Sequence, residues 1–165
     1  VSTEAIIALG GNLGNRAENL RAALLELAAQ SNIELLGSSS FYESHALTLS
    51  GTDQTKPNYL NAVAKISTEL DPVALLGTLN RLEAEAGRHR TERWESRTLD
   101  LDIITFGDLA IDTEDLTIPH PRAQERAFVM VPWAELDPDA ELVGHGFVSE
   151  LAKRFQGEVW VYEEN

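Results

Sequence analysis

Asp100 and Asp102 stand two residues apart in Thr98-Leu99-Asp100-Leu101-Asp102-Ile103-Ile104, a stretch whose other side chains are mostly apolar. Alternate side chains of a strand share a face, so the carboxylates point one way while Leu99, Leu101 and Ile103 point the other. Their Cβ atoms are then about 6.6 Å apart. From there they can lean toward two divalent ions held about 3.5–4 Å from each other. Magnesium suits such a pair, because it takes carboxylate, water and phosphate oxygens together. Aspartate is disfavoured in strands and like charges on one face repel, so the arrangement is costly without a cation. The competing reading leaves both aspartates on the solvent face of an ordinary half-buried strand.

Arg88, Arg90, Arg93 and Arg97 precede that strand in a segment without apolar periodicity. A guanidinium fork matches phosphate oxygens, and magnesium with arginine is a common way to offset charge in phosphoryl transfer. Trp94, in the same segment, could cover a base, exclude water or simply pack. Arg122 and Arg126 follow Pro119-His120-Pro121, where His120 could donate to a phosphate or be structural. Tyr59 and Asn61 share a face of another strand. A ring that stacks, beside an amide that donates and accepts, suits a heterocycle with amide-like edges; a core tyrosine with a strand asparagine is the plainer alternative. Gly10-Gly11-Asn12-Leu13-Gly14 follows a strand but lacks the lysine of a P-loop and the spacing of a dinucleotide fingerprint. It reads as a turn that brings backbone close to something.

The elements that must position these residues are legible from period and caps. Glu4 to Leu9 reads as a buried strand, and Asn15 with Glu18 as a capping box for a helix from about Arg16 to Ala29. Ile33 to Tyr42 reads as one strand, His45 to Pro57 as a loop, and Tyr59 to Leu70 as a strand. Asp71-Pro72 opens a second helix that Gly87 ends, with Leu75, Leu76, Leu79 and Leu82 on its apolar face. Arg88 to Arg97 is a loop, Thr98 to Phe106 a strand, and Leu109 to Ile111 a short strand. A short helix over Val131 to Leu136, a helix over Phe147 to Phe155 and a strand over Glu158 to Tyr162 complete the chain. The β-α-β-β-α-β order predicts an α+β class, a ferredoxin-like sandwich whose sheet is mainly antiparallel with helices packed on it.

The chain of 165 residues fits one domain, and its 43% hydrophobic content can fill a core. It has no cysteine, which excludes disulfides, thiolate metal sites and cysteine nucleophiles. A formal net charge of −14 argues against nucleic acid or an anionic membrane as partner. Against that acidity, Arg81, Arg88, Arg90, Arg93, Arg97, Arg122 and Arg126 gather in two segments and suggest a local anion site. A cytoplasmic monomer acting on small molecules is expected.

Together these segments resemble the 6-hydroxymethyl-7,8-dihydropterin pyrophosphokinase family of folate synthesis. The matching stretches are Ala8-Leu9-Gly10-Gly11-Asn12-Leu13-Gly14, Asn58-Tyr59-Leu60-Asn61-Ala62, Arg93-Trp94 with Arg97-Thr98-Leu99-Asp100-Leu101-Asp102-Ile103, and Ile118-Pro119-His120-Pro121-Arg122 with Glu125-Arg126-Ala127-Phe128-Val129. The resemblance implies attack of the substrate's hydroxymethyl oxygen on the β-phosphorus of ATP, with AMP leaving. It implies two magnesium ions on Asp100 and Asp102, and catalytic roles for these residues with Arg88 and Arg97. It implies an ATP site formed by Asn80, Glu83, Arg88, Arg90, Arg93, Trp94, Arg97, Ile103, His120 and Arg126. It places the pterin between Tyr59 and Phe128, with Asn61 on its edge, Asp100 beside it, and the backbone of Gly10 and of Ser44-His45-Ala46-Leu47 lining the pocket. Four departures stand out: Glu95-Ser96 for the family's usual Gly-Pro, Ser44-His45 for Thr-Pro, Asp115 where some members are basic, and a loop from Leu47 to Pro57 that is longer than in short members. Glu95 could pair with Arg97 and oppose closure of the Arg88–Arg97 segment over a triphosphate. A ligand-sensing module without turnover and a metal-dependent phosphoesterase are the alternatives, and release of AMP would exclude the first.

Overall fold

The computed structural model describes residues 2–48, 51–53, 58–86, 98–155 and 157–163. The first half contains β1 (Thr3–Gly11), α1 (Arg16–Ala29), β2 (Ile33–Ser38), β3 (Tyr42–Ser44), β4 (Ala46–Thr48), β5 (Gly51–Asp53), β6 (Tyr59–Thr68) and α2 (Pro72–Glu85). The second contains β7 (Asp100–Phe106), β8 (Ile111–Asp112), β9 (Thr117–Ile118), α3 (Ala127–Leu136), β10 (Glu141–Leu142), β11 (Gly146–Phe147), α4 (Val148–Ala152) and β12 (Val159–Val161).

β1 is an almost unbroken apolar run because it lies at the centre of the sheet, with β6 on one side and β7 on the other. The strand order is β12-β3-β6-β1-β7, with β2 also paired to β6, and these pairings are antiparallel. This is the expected α+β, ferredoxin-like arrangement, extended by β12. Both predicted caps form: the Asn15 side chain accepts from Glu18 N at 3.2 Å, and Asp71 from Ala74 N at 2.8 Å. Leu20, Leu27, Leu75 and Leu79 carry α1 and α2 onto Ile7, Leu9, Leu60 and Leu101. Each such fully buried side chain contributes roughly 1.5–3 kcal/mol. Ile6, Ala8, Val63 and Ile104 point to the opposite face, which α3 and α4 cover with Met130, Trp133, Val148 and Leu151.

Four segments differ from expectation. The run from Ile33 to Tyr42 is not one strand but β2 and β3, both on β6, separated at residues 39–41. Ser39 makes the break: its N donates to Val63 O at 2.8 Å, and its Oγ accepts from Val63 N at 3.0 Å while donating to Ser40 O at 2.8 Å. A hydroxyl has taken over ladder bonds that the backbone would otherwise make. The helix expected from Val131 begins instead at Ala127. Its first turns are apolar on every side because α3 is buried among the sheet, α4 and β3, so no helical stripe shows in the sequence. Pro132 inside it removes the amide that a regular helix would offer to the Phe128 carbonyl. The segment read as a loop from His45 contains the β4–β5 hairpin, and the last helix ends at Ala152 with a 3-10 turn after it.

Candidate active site

Register places the candidate site residues of the sheet on one face. Asp100 of β7 pairs with Gly10 of β1, Gly10 with Asn61 of β6, and Asn61 with Tyr42 of β3, a row across four strands. Asp102 pairs with Ala8 and Ser44 with Tyr59, one pleat to either side. Paired residues and their i+2 neighbours share a face, so Asp100, Asp102, Asn61, Tyr59 and Ser44 all lie on the α3 side. Asp100 and Asn61 are two strand spacings apart, about 10 Å.

Gly10 sits between them without a side chain. A Cβ there would come within 3.1 Å of Asn61 Oδ1 and 3.9 Å of the Tyr59 ring. Asn61 is 3% exposed, and its Nδ2 donates to Ser44 Oγ at 2.9 Å and to Tyr42 O at 3.3 Å. The sequence suggested an amide that donates and accepts; its donors are spent inside the protein, so the amide offers a ligand its oxygen. Phe128, in the first turn of α3, is half-buried against the same face, with the Arg126 guanidinium 5.7 Å from its ring centroid.

The β8–β9 hairpin leads through a cis Ile118–Pro119 bond to His120, whose N donates to Ile104 O at 2.9 Å. That bond fastens the loop to β7. Arg122 N donates to His120 Nδ1 at 3.3 Å, which leaves Nε2 as the protonated nitrogen. Burial first, then Arg126 and Arg122, hold the pKa down to about 4 against the opposing pull of Asp100. His120 is therefore a neutral hydrogen-bond donor at physiological pH, set among Asp100, Arg122 and Arg126.

Glu83 of α2 is 2% exposed, and its Oε2 accepts from Leu101 N at 2.7 Å, on the outer edge of β7 between the two aspartates. Asn80, one helical turn earlier, is exposed. Ile103 buries its side chain beneath α1 and α2, so what it offers outside the core is the backbone of an edge strand. Leu47 lies in β4 opposite Thr52. The His45 side chain does not join Ser44 on the pocket face: its Nδ1 is 3.3 Å from Asn58 Oδ1 and its ring packs on Trp160 of β12. Arg88, Arg90, Arg93, Trp94 and Arg97, with Glu95 and Ser96, lie outside the described residues. No pattern in the sequence pointed to Glu135 of α3, which accepts from Tyr42 Oη at 2.7 Å and Ser40 N at 2.8 Å and so ties α3 to the strand beside Asn61.

Among the described residues no cluster of three or more His, Asp or Glu side chains could cage a metal. A divalent ion at Asp100 and Asp102 would take its remaining ligands from water and a substrate's phosphate, which is how magnesium binds and unlike a closed structural zinc site. The donor set fits.

A family model described as 7,8-dihydro-6-hydroxymethylpterin-pyrophosphokinase (HPPK) matches residues 6–138. The chain belongs to this family. The 2-amino-4-hydroxy-6-hydroxymethyldihydropteridine pyrophosphokinase of Haemophilus influenzae is 48% identical over 151 residues, covering 92% of both chains. That of Pseudomonas aeruginosa is 41% identical over 145 residues, covering 88% of this chain and 87% of its own. A mitochondrial folate synthesis bifunctional protein of Pisum sativum is 36% identical and covers 98% of this chain, which spans 32% of it. Among solved structures, Plasmodium falciparum HPPK-DHPS with pteroate shares the fold at TM-score 0.73 and 13% identity, over 94% of this chain and 42% of that one. The family's reaction is the pyrophosphokinase step of folate biosynthesis, with ATP as donor.

Proposed function

We propose that the row Asp100–Gly10–Asn61 is where this pyrophosphokinase joins its two substrates, MgATP and 6-hydroxymethyl-7,8-dihydropterin. The pterin lies between Tyr59 and Phe128, and Asn61 Oδ1 accepts from a ring N–H. Reading the ring at Asn61 directs its hydroxymethyl group along the row toward Asp100. The hydroxymethyl oxygen attacks the β-phosphorus of ATP, the bond from that phosphorus to the α,β-bridging oxygen breaks, AMP leaves with the electron pair, and the hydroxyl proton passes to solvent. Two magnesium ions on Asp100 and Asp102 supply charge neutralisation and alignment of the phosphates. His120 donates from Nε2, and Arg126 presents its charge, to the same phosphates. Arg88 and Arg97 are assigned catalytic roles there, with Arg90, Arg93 and Trp94 on the nucleotide, as Asn80, Glu83 and the Ile103 backbone also are. Chemistry of this kind depends on positioning and electrostatics and needs no dedicated base.

The observation that carries this reading is the pairing of Asp100 and Asn61 with the same residue, Gly10, so that a metal site and a heterocycle site share one sheet face. Incubation with MgATP and the pterin alcohol, followed by nucleotide analysis, tests it. AMP formed in step with the pterin diphosphate is expected; ADP, or phosphate release without the alcohol, would refute it.

A further inference from the structure

The strands that floor the pterin pocket are fastened from behind by side chains that touch nothing in it. β3 leaves the sheet after Ser44 and the chain returns at Tyr59, and these two residues are paired. The next rung outward is His45 and Asn58, whose side chains meet at 3.3 Å (Nδ1 to Oδ1), closing the neck of the segment that carries the β4–β5 hairpin. His45 also packs edge-on against Trp160 of β12, with centroids 5.2 Å apart. Trp160 Nε1 donates to Glu43 Oε1 at 3.4 Å, Glu43 Oε2 binds Arg16 Nη1 at 3.0 Å, and the same Nη1 donates to Asn58 O at 2.9 Å. The contacts form a closed circuit from His45 through Trp160, Glu43, Arg16 and Asn58 back to His45.

The circuit faces away from the pocket. Glu43 pairs with Leu60, which packs beneath α1 and α2, and with Trp160. Their neighbours Tyr42 and Val159 instead pack with Ala127 of α3. By the two-residue period of the strands, Ser44 and Tyr59 project to the substrate side while Glu43 and Trp160 project to the other. Arg16, at the start of α1, further lies over the Tyr162 ring at 5.6 Å, which joins the chain beyond β12 to the same network.

We infer that this circuit, with Trp160 at its outer edge, is a positioning device for pterin binding, deepening the pocket reading on which it rests. A proline at position 45 would fix the backbone by its ring. His45 has no such constraint, and the ring contact with Trp160 and the bond to Asn58 hold the neck instead. Fixing the neck fixes Ser44 Oγ, which receives Asn61 Nδ2, and with it the amide oxygen that the pterin meets. A C-terminal strand thereby sets the affinity for a substrate that it does not touch.

Steady-state kinetics of Trp160→Leu and Trp160→Phe, with AMP release as the signal, test this. Trp160→Leu should raise the pterin KM about three- to tenfold, the range for losing an aromatic pair, with kcat and the ATP KM unchanged. Trp160→Phe keeps a ring edge for His45 and should recover most of the loss. His45→Ala combined with Trp160→Leu should be no worse than the worse single change, because both break one circuit. A natively melting Trp160→Leu or Trp160→Phe protein with an unaltered pterin KM, or an equal rise in both KM values, would overturn the inference. If Trp160→Leu does not fold, Trp160→Phe against His45→Ala decides it, since an equal pterin KM in both would leave no role for the ring contact. Asn61→Ala separates the two levels: an unaltered pterin KM there sinks the pocket itself, while a raised one beside an unaffected Trp160→Leu sinks the circuit alone.

Discussion

A methyl group at residue 10 would sit 3.1 Å from the Asn61 amide oxygen, closer than that oxygen tolerates without moving. Gly10→Ala should therefore displace the one acceptor that Asn61 offers, costing about 1 kcal/mol of pterin binding, the net value of an ordinary hydrogen bond. The pterin KM should rise several-fold and the ATP KM should hold; equal KM values in both proteins would mean that Asn61 does not read the ring. The aromatic walls belong to the same scale. Removing Tyr59 or Phe128 as alanine should weaken pterin binding by about 1–3 kcal/mol, as for other base-like rings on aromatic side chains. Titration of pterin with each variant checks this, and a Phe128→Ala protein that binds normally but melts early would make that ring a core residue only. Asn61 was legible from its place beside Tyr59, but the exhaustion of its donors was not, because Ser44 and Tyr42 lie on another strand.

At the scale of elements, α3 is held by Glu135, which clamps Tyr42 Oη and Ser40 N on the strand bordering Asn61. Burial first, then the hydrogen bond and charge of Glu135, push the Tyr42 pKa up to about 12. An unfolded tyrosine ionises near pH 10. The Tyr42 contribution is thus complete below about pH 10 and is lost as pH rises through about 12. Tyr42→Phe should cost about 1–2 kcal/mol at neutral pH and flatten the alkaline fall in stability. Denaturant midpoints across that range measure both, and an identical alkaline limb in the two proteins would contradict the clamp. The cap-marked helices α1 and α2 could be read in advance because Asn15, Asp71 and Pro72 act locally. The first turn of α3 could not: Arg126 precedes it without a side-chain cap bond, and Pro132 suits a helix start beside it better than a helix interior. The break at Ser39 was equally hidden, since it depends on Val63, far along the chain.

At the scale of the whole molecule, the antiparallel order delivers both halves of the site to one face by bringing β7 and β6 to opposite edges of β1. The strands themselves were legible, and so was the face that each pair shares, because Asp-x-Asp and Tyr-x-Asn keep their alternation in any register. Their meeting across Gly10 is a property of pairing alone. Among the described residues no helix is long and apolar enough to cross a membrane. Although the net charge is −14, Arg122 and Arg126 gather around His120 beside Asp100, where the proposed nucleotide site falls. The proposal that Asp100 and Asp102 hold magnesium on the face that binds the pterin is tested most directly by single-turnover pyrophosphoryl transfer in Asp100→Asn and Asp102→Asn at saturating MgATP and pterin. Each should slow the transfer on the order of a thousandfold or more, while the melting temperature stays near that of the unmodified protein. Transfer at close to the unmodified rate in either variant would contradict the assignment.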